Sequence, residues 1–158
     1  MLFLALKVIH ILSGAVLFGT GAGIAFFMLR AHQTRDAATI AATGRMVVQA
    51  DMLFTATAVV VQPISGLAMI LLQGWSPWEP WLIVAYGLYV LIGICWLPVV
   101  WIQIRMTRLA EAAALAGDGL PAAYHGLFRW WFALGWPAFI GIIGIYALMV
   151  AKPILWGA

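Results

Sequence analysis

The chain has 158 residues, of which 66% are hydrophobic and only 8% charged, with a mean hydropathy of +1.07. A soluble domain carries roughly 25% charged residues, so this composition excludes a water-covered surface and implies a lipid bilayer as the partner, with the whole of 1–158 as a single domain. The formal net charge of +3 does not indicate a nucleic-acid binder, because the eight basic residues sit at the ends of apolar runs and form no aromatic-interleaved basic surface.

Backbone in lipid must satisfy its own hydrogen bonds, so apolar runs of about 20 residues read as helices. The first predicted helix, about 2–31, contains the uncharged run Ile11 to Leu29. Met1 to Leu6 lacks the positive region that precedes a secretory signal, so the segment reads as a retained helix. The second, 37–73, starts behind a capping Asp36 and runs through Met46-Val47-Val48 into the membrane, with Gly44 as its weak point. Gln73-Gly74-Trp75-Ser76-Pro77-Trp78-Glu79-Pro80 holds a glycine, two prolines and a charge, and reads as a turn.

The third predicted helix, 80–116, contains the uncharged run Trp81 to Gln103 and continues through the Ala- and Leu-rich stretch Arg105 to Leu115, where Arg108 and Glu111 are spaced to pair. Gly117-Asp118-Gly119 ends it, and Pro121 suits the first turn of the fourth, 121–151. Pro63, Pro98 and Pro137 each remove a backbone bond and should bend their helices, with Gln62 placed to serve the groups freed beside Pro63. The expected fold is all-α, an integral membrane four-helix bundle with helices two and three extended into the cytoplasm.

Arg30, Arg35 and Arg45 lie between helices one and two, and Arg105, Arg108 and Arg129 between helices three and four; the other side has only Lys7 and Lys152. By the positive-inside rule this bias puts both arginine-bearing connections in the cytoplasm of a bacterial cell, hence a multi-pass protein of the cytoplasmic (inner) membrane with both termini periplasmic. Trp75, Trp78, Trp81 and Trp156 would mark the outer interface and Trp101, Trp130 and Trp131 the inner one. Trp96 and Trp136 lie deeper.

Ionisable groups in a span are costly and invite a functional explanation. Lys7 and His10 share one helix face at i,i+3, and Gly14 lies one turn beyond His10. An imidazole beside a low glycine surface suits the axial nitrogen and flat ring of haem b. Counting twenty residues from the inner ends places Met69 and Met149 near the level of His10, as candidate second ligands, with a five-coordinate iron as the alternative. His32 and His125, at the inner ends of helices one and four, could meet and bind a metal, so His10, His32 and His125 are the metal candidates. Asp51 is expected to pair with Arg105 or Arg129. Gly19 and Gly23 match the Gly-x-x-x-Gly pattern of helix association, in keeping with a homodimer or a larger membrane complex. Single Cys95 allows no intramolecular disulfide, and no nucleophile triad, phosphate loop or zinc-protease motif occurs, so no catalytic residue is assigned.

Three stretches resemble a bacterial family of predicted integral membrane proteins of unknown function: Leu6-Lys7-Val8-Ile9-His10-Ile11-Leu12; Asp51-Met52-Leu53-Phe54-Thr55 continuing to Gln62-Pro63-Ile64-Ser65-Gly66-Leu67; and Cys95-Trp96-Leu97-Pro98-Val99-Val100-Trp101-Ile102-Gln103-Ile104-Arg105. The resemblance spans almost the whole chain and implies four helices without an activity. Lys7-x-x-His10, with His32 after the first helix, is more distantly similar to HemJ-type protoporphyrinogen oxidases and to the CopD-type copper membrane domain. HemJ-type proteins are four-helix membrane proteins that bind haem b, which implies His10 and His32 as ligands. They carry a lysine in helix three shortly after its opening tryptophan, where Trp81-Leu82-Ile83-Val84-Ala85-Tyr86 has none, so the resemblance does not extend to oxidase activity.

The function expected on these grounds is that of a haem-b-binding membrane protein in electron transfer or tetrapyrrole chemistry. The alternatives are a non-enzymatic accessory or assembly subunit and, on seven scattered methionines, copper transport or handling.

Overall fold

A computed structural model describes residues 1–156. It contains four long helices, α1 (Leu2–Thr34), α2 (Ala37–Gln73), α3 (Pro80–Ala116) and α4 (Ala122–Ala151), each long and apolar enough to cross a membrane. At 1.5 Å per residue the 37 residues of α2 and of α3 reach about 55 Å, well beyond a hydrocarbon core of about 30 Å, so both project past the bilayer. The side chains turned away from the bundle are overwhelmingly apolar, among them Leu4, Phe26, Leu53, Ile64, Leu97 and Ile140, the surface that lipid requires.

The helix ends have local causes. The first helix runs three residues past the expected 31, to Thr34, and stops where Arg35 turns left-handed (φ 57°) and its N–H bonds back to His32 O. Asp36 then caps α2 by accepting the Thr39 N–H at 2.8 Å. Hydrogen bonds from Thr39 hold the Asp36 carboxyl below the usual aspartate range. Gly74 and Gly117 close α2 and α3 with φ of 65° and 69°, a conformation that glycine adopts without strain. Pro121 caps α4 from just outside it, and the helix begins one residue later than the sequence suggests.

Each helix packs against two neighbours: α1 on α2 and α4, α3 on α2 and α4, with α1–α2 and α3–α4 the extensive contacts and α1–α4 the slightest. Call the end that carries the six arginines the arginine end. Its half of the bundle holds the main core, where Met28, Ile40, Met106 and Tyr124 are fully buried among Ile24, Ile102 and Trp131. A smaller cluster of Ile70, Trp81 and Leu82, with Leu148 and Met149 against it, closes the opposite end. Between them the packing turns polar.

Two expectations about α2 and α3 need correction. The irregular point of α2 is a π-helical turn at Asp51–Thr55 and not Gly44. Gly44 is buried because a Cβ there would collide with the Thr107 side chain of α3, so the glycine serves close helix approach. Glu111 pairs with Arg45 across the two helices at 3.0 Å and not with Arg108, since antiparallel packing beyond the bilayer brings α2 beside it.

Candidate functional site

His10 is half-buried and turned toward α2, where its Nδ1 lies 2.9 Å from Ser65 Oγ. The Ser65 hydroxyl proton is committed to backbone, with Val61 O at 2.7 Å and Gln62 O at 3.2 Å. A hydroxyl has one proton, so toward His10 it can only accept. With the Ser65 proton on Val61 O, the neutral imidazole carries its own proton on Nδ1 and keeps a free lone pair on Nε2. Among the described residues Nε2 has no hydrogen-bond partner. Gly66 permits the approach: a Cβ on it would stand 3.2 Å from His10 Cε1.

The same turn of α1 is stitched to α2 by Gln62, whose Nε2 donates to His10 O at 2.7 Å and to Ser13 Oγ at 2.9 Å. The Ser13 hydroxyl in turn donates to His10 O. Gln62 therefore crosslinks two helices and does not serve its own bent one. The carbonyl freed by Pro63 is that of Val59, four residues back, and it accepts the Tyr89 hydroxyl from α3.

A haem ring in this bundle would need a bare surface beside its ligand, and Gly14 does not offer one. A Cβ on Gly14 would stand 2.9 Å from Gln62 Nε2 and 3.0 Å from the Tyr146 hydroxyl, so both side chains already cover the glycine. Phe18 extends this closure, stacked on Phe139 at 5.3 Å and edge-on to Tyr146 at 6.1 Å. The residues present fit an iron ligand at His10 Nε2, and they do not fit a ring seated on Gly14. Lys7 is exposed one turn away. Met149 packs in the cluster of Ile70, Trp81 and Leu82, and Met69 is half-buried one turn past Ser65.

At the arginine end α1 and α4 bring His32 and His125 together, with ring centroids 5.9 Å apart. His32 also stacks flat on Phe128 at 3.6 Å, and its Nδ1 lies 3.3 Å from the hydroxyl of buried Tyr124. The two histidines gain no third ligand: among the described residues no group of three or more His, Cys, Asp or Glu side chains could hold a metal. His10 belongs to the other half of the bundle, so the three metal candidates do not form one centre.

Asp51 does not reach Arg105 or Arg129. It accepts the indole N–H of Trp96 at 3.2 Å, and the Arg45–Glu111 contact is the sole ion pair among the described residues. Ser65 and Tyr89 are site residues that sequence reasoning missed, because a hydroxyl in an apolar run has no local signal that says which neighbouring helix it will meet. At the end opposite the arginines, Lys152 Nζ lies 4.2 Å from the Trp75 ring centre, a cation–π contact that fixes the end of α4 against the α2–α3 connection.

Comparison with known proteins adds family membership and no activity. No curated protein and no solved structure matches the chain, so the HemJ-type and CopD-type likeness finds no counterpart there. A family described as predicted integral membrane protein (DUF2269) matches residues 4–153, nearly the full length, and the chain belongs to that family.

Proposed function

We propose that the protein binds haem b in the cytoplasmic membrane of a bacterium and works in electron transfer, with His10 Nε2 as the residue that would hold the iron. The observation that carries this reading is the hydrogen-bond chain from His10 Nδ1 through Ser65 to the backbone of α2. Ligating histidines characteristically donate their second N–H to a fixed acceptor, which sets the tautomer and points the free nitrogen at the metal. The haem supplies the one-electron chemistry. The chain supplies an oriented imidazole, and Lys7 is the cation available to a propionate. Gly14 takes no part, its surface being covered by Gln62 and Tyr146. The arginine-bearing connections face the cytoplasm and the termini the periplasm.

The test is the reduced-minus-oxidised spectrum of protein purified in detergent from haem-replete cells. A Soret band that is lost in His10→Ala and broadened or weakened in Ser65→Ala is expected. A colourless protein, or a band unaffected by His10→Ala, ends the proposal.

One observation favours a second reading, a non-enzymatic subunit of a homodimer or larger membrane complex. Side chains added at Gly19 and Gly23 would meet nothing within 4 Å, so this Gly-x-x-x-Gly face of α1 has no partner within the chain and is low enough to accept another helix. Stoichiometric co-purification of a second polypeptide, lost in Gly19→Leu and Gly23→Leu, with no chromophore bound, would favour it over haem binding.

A further inference from the structure

The π-helical turn of α2 has a chemical consequence. In it the Ala56 N–H reaches back five residues to Asp51 O, and single turns of this kind recur at functional positions. The wider turn carries Asp51 and Thr55 inward together and leaves Met52, Leu53 and Phe54 outside. A carboxyl and a hydroxyl thereby enter the interior of a membrane bundle, at 3% and 7% exposure.

Their hydrogen bonding is incomplete. Asp51 Oδ1 accepts the Trp96 indole N–H. Asp51 Oδ2, Thr55 Oγ1, Gln103 Oε1 and Trp131 Nε1 are all buried without a well-formed hydrogen bond among the described residues, with the Thr55 hydroxyl standing beside the Asp51 carboxyl. Gln103, at 2% exposure, lies seven residues from Trp96 toward the arginine end of α3, with Thr107 donating to its backbone carbonyl at 2.8 Å. The ionisable groups on the helices around it are Lys7, His10, Arg30 and His32 on α1, Arg45 on α2 itself, Tyr86, Tyr89, Cys95, Arg105, Arg108 and Glu111 on α3, and Tyr124, His125, Arg129 and Tyr146 on α4. None makes an ion pair with Asp51: the Arg45 guanidinium holds Glu111, and Arg30 holds Gln33.

A carboxylate in a membrane interior without a counter-charge is costly, and such residues characteristically mark ion or proton pathways. Binding a proton removes the charge and turns the unpartnered Oδ2 into a donor, with the Thr55 hydroxyl one turn along the same face as an acceptor. A metal cation would need several oxygens converging on one point, whereas this carboxyl is held by a donor, the Trp96 indole.

We propose that Asp51 is a proton-binding site inside the membrane span, where the carboxyl takes up and releases one proton at Oδ2, Trp96 holds its other oxygen, and Gln103 is the next polar group toward the arginine end. The step is an exchange between carboxylate plus proton and neutral acid. No oxidant, metal or second substrate enters it, and it stands independently of haem at His10.

The probe is dicyclohexylcarbodiimide, an apolar reagent that adds to protonated carboxyls in membranes, applied to the full-length wild-type protein in liposomes across pH 5 to 9, with adducts located by mass spectrometry. The expected result is an adduct on the Asp51 peptide that is lost as pH rises and absent in Asp51→Asn. A water-soluble carbodiimide should modify exposed Asp118 and leave Asp51 untouched. Infrared difference spectra of the wild type should show a carboxylic-acid C=O band changing over the same pH range, which needs no variant. Failure to label Asp51 at any pH overturns the proposal, as does a yield independent of pH. Protection by sodium or lithium ions at constant pH overturns it in favour of a metal-cation site.

Discussion

Single side chains in this bundle act mainly by reaching across to the next helix. Gly44 shows how little room there is: a Cβ would meet Thr107 Cβ at 3.1 Å and Cγ2 at 3.2 Å, both on a branched side chain that cannot swing away. Gly44→Ala is therefore expected to destabilise the bundle by about 1–3 kcal/mol through overpacking, against a gain in helix propensity of at most about 1 kcal/mol. Unfolding in mixed micelles measures it, and adding Thr107→Ala should restore most of the loss. The equivalent insertion at Gly14 meets the ends of Gln62 and Tyr146, which can shift, so its cost is smaller.

Asp36 makes a prediction about pH. Its folded-state pKa is lowered by hydrogen bonds from Thr39, so the capping contribution is present above the ordinary aspartate value and is lost as pH falls through the lowered one. Amide exchange at Thr39 and Ile40, corrected for intrinsic rates, should accelerate on acidification in the wild type and be fast at all pH values in Asp36→Ala. An exchange rate indifferent to both changes would show that the cap does not hold this end of α2.

At the scale of the element, the prolines and the π-turn decide where polar groups are needed. Pro63 leaves Val59 O without its intrahelical donor, and the Tyr89 hydroxyl of α3 replaces it. Tyr89→Phe should cost about 1–3 kcal/mol, the desolvation of a carbonyl left bare in the bundle, read as a lower unfolding midpoint. The carbonyl that Pro63 frees was legible in the sequence; its partner was not, since the donor comes from 26 residues further along the chain on a different helix. The same holds for Asp51. Its place at the mouth of the second span is evident from the sequence, but a π-turn has no simple periodic signature, and the expected arginine partners gave way to Trp96.

For the molecule as a whole, four antiparallel spans put both termini at one end and the six arginines at the other. Reporter fusions at residue 1 and after residue 156 should both be active only on the periplasmic side, and a reporter inserted after Asp118 only on the cytoplasmic side. Opposite signals from the two ends would contradict an even number of spans. The uneven packing has a consequence of its own: the main core lies in the arginine half, while His10, Ser65, Gln62 and Tyr146 occupy the other, where polar contacts replace apolar ones. The half with fewer buried apolar contacts is the half that opens first on local unfolding, and it is the half that holds the proposed haem ligand.

Composition and run length by themselves determined that this chain is helical, crosses the membrane four times and turns at Gly74 and Gly117, because lipid admits few other solutions for an apolar backbone and these two glycines stand where the apolar or Ala- and Leu-rich runs give out. Which side of each helix faces inward was decided only by tertiary structure. An amphipathic helix in water declares its buried stripe, but these spans are apolar all round, so rotation about the helix axis is set by contact. The placing of His10 on Ser65, of Glu111 on Arg45 and of Asp51 on Trp96 follows from how four nearly featureless cylinders pack, with the Asp51–Thr55 π-turn re-aiming the second of them.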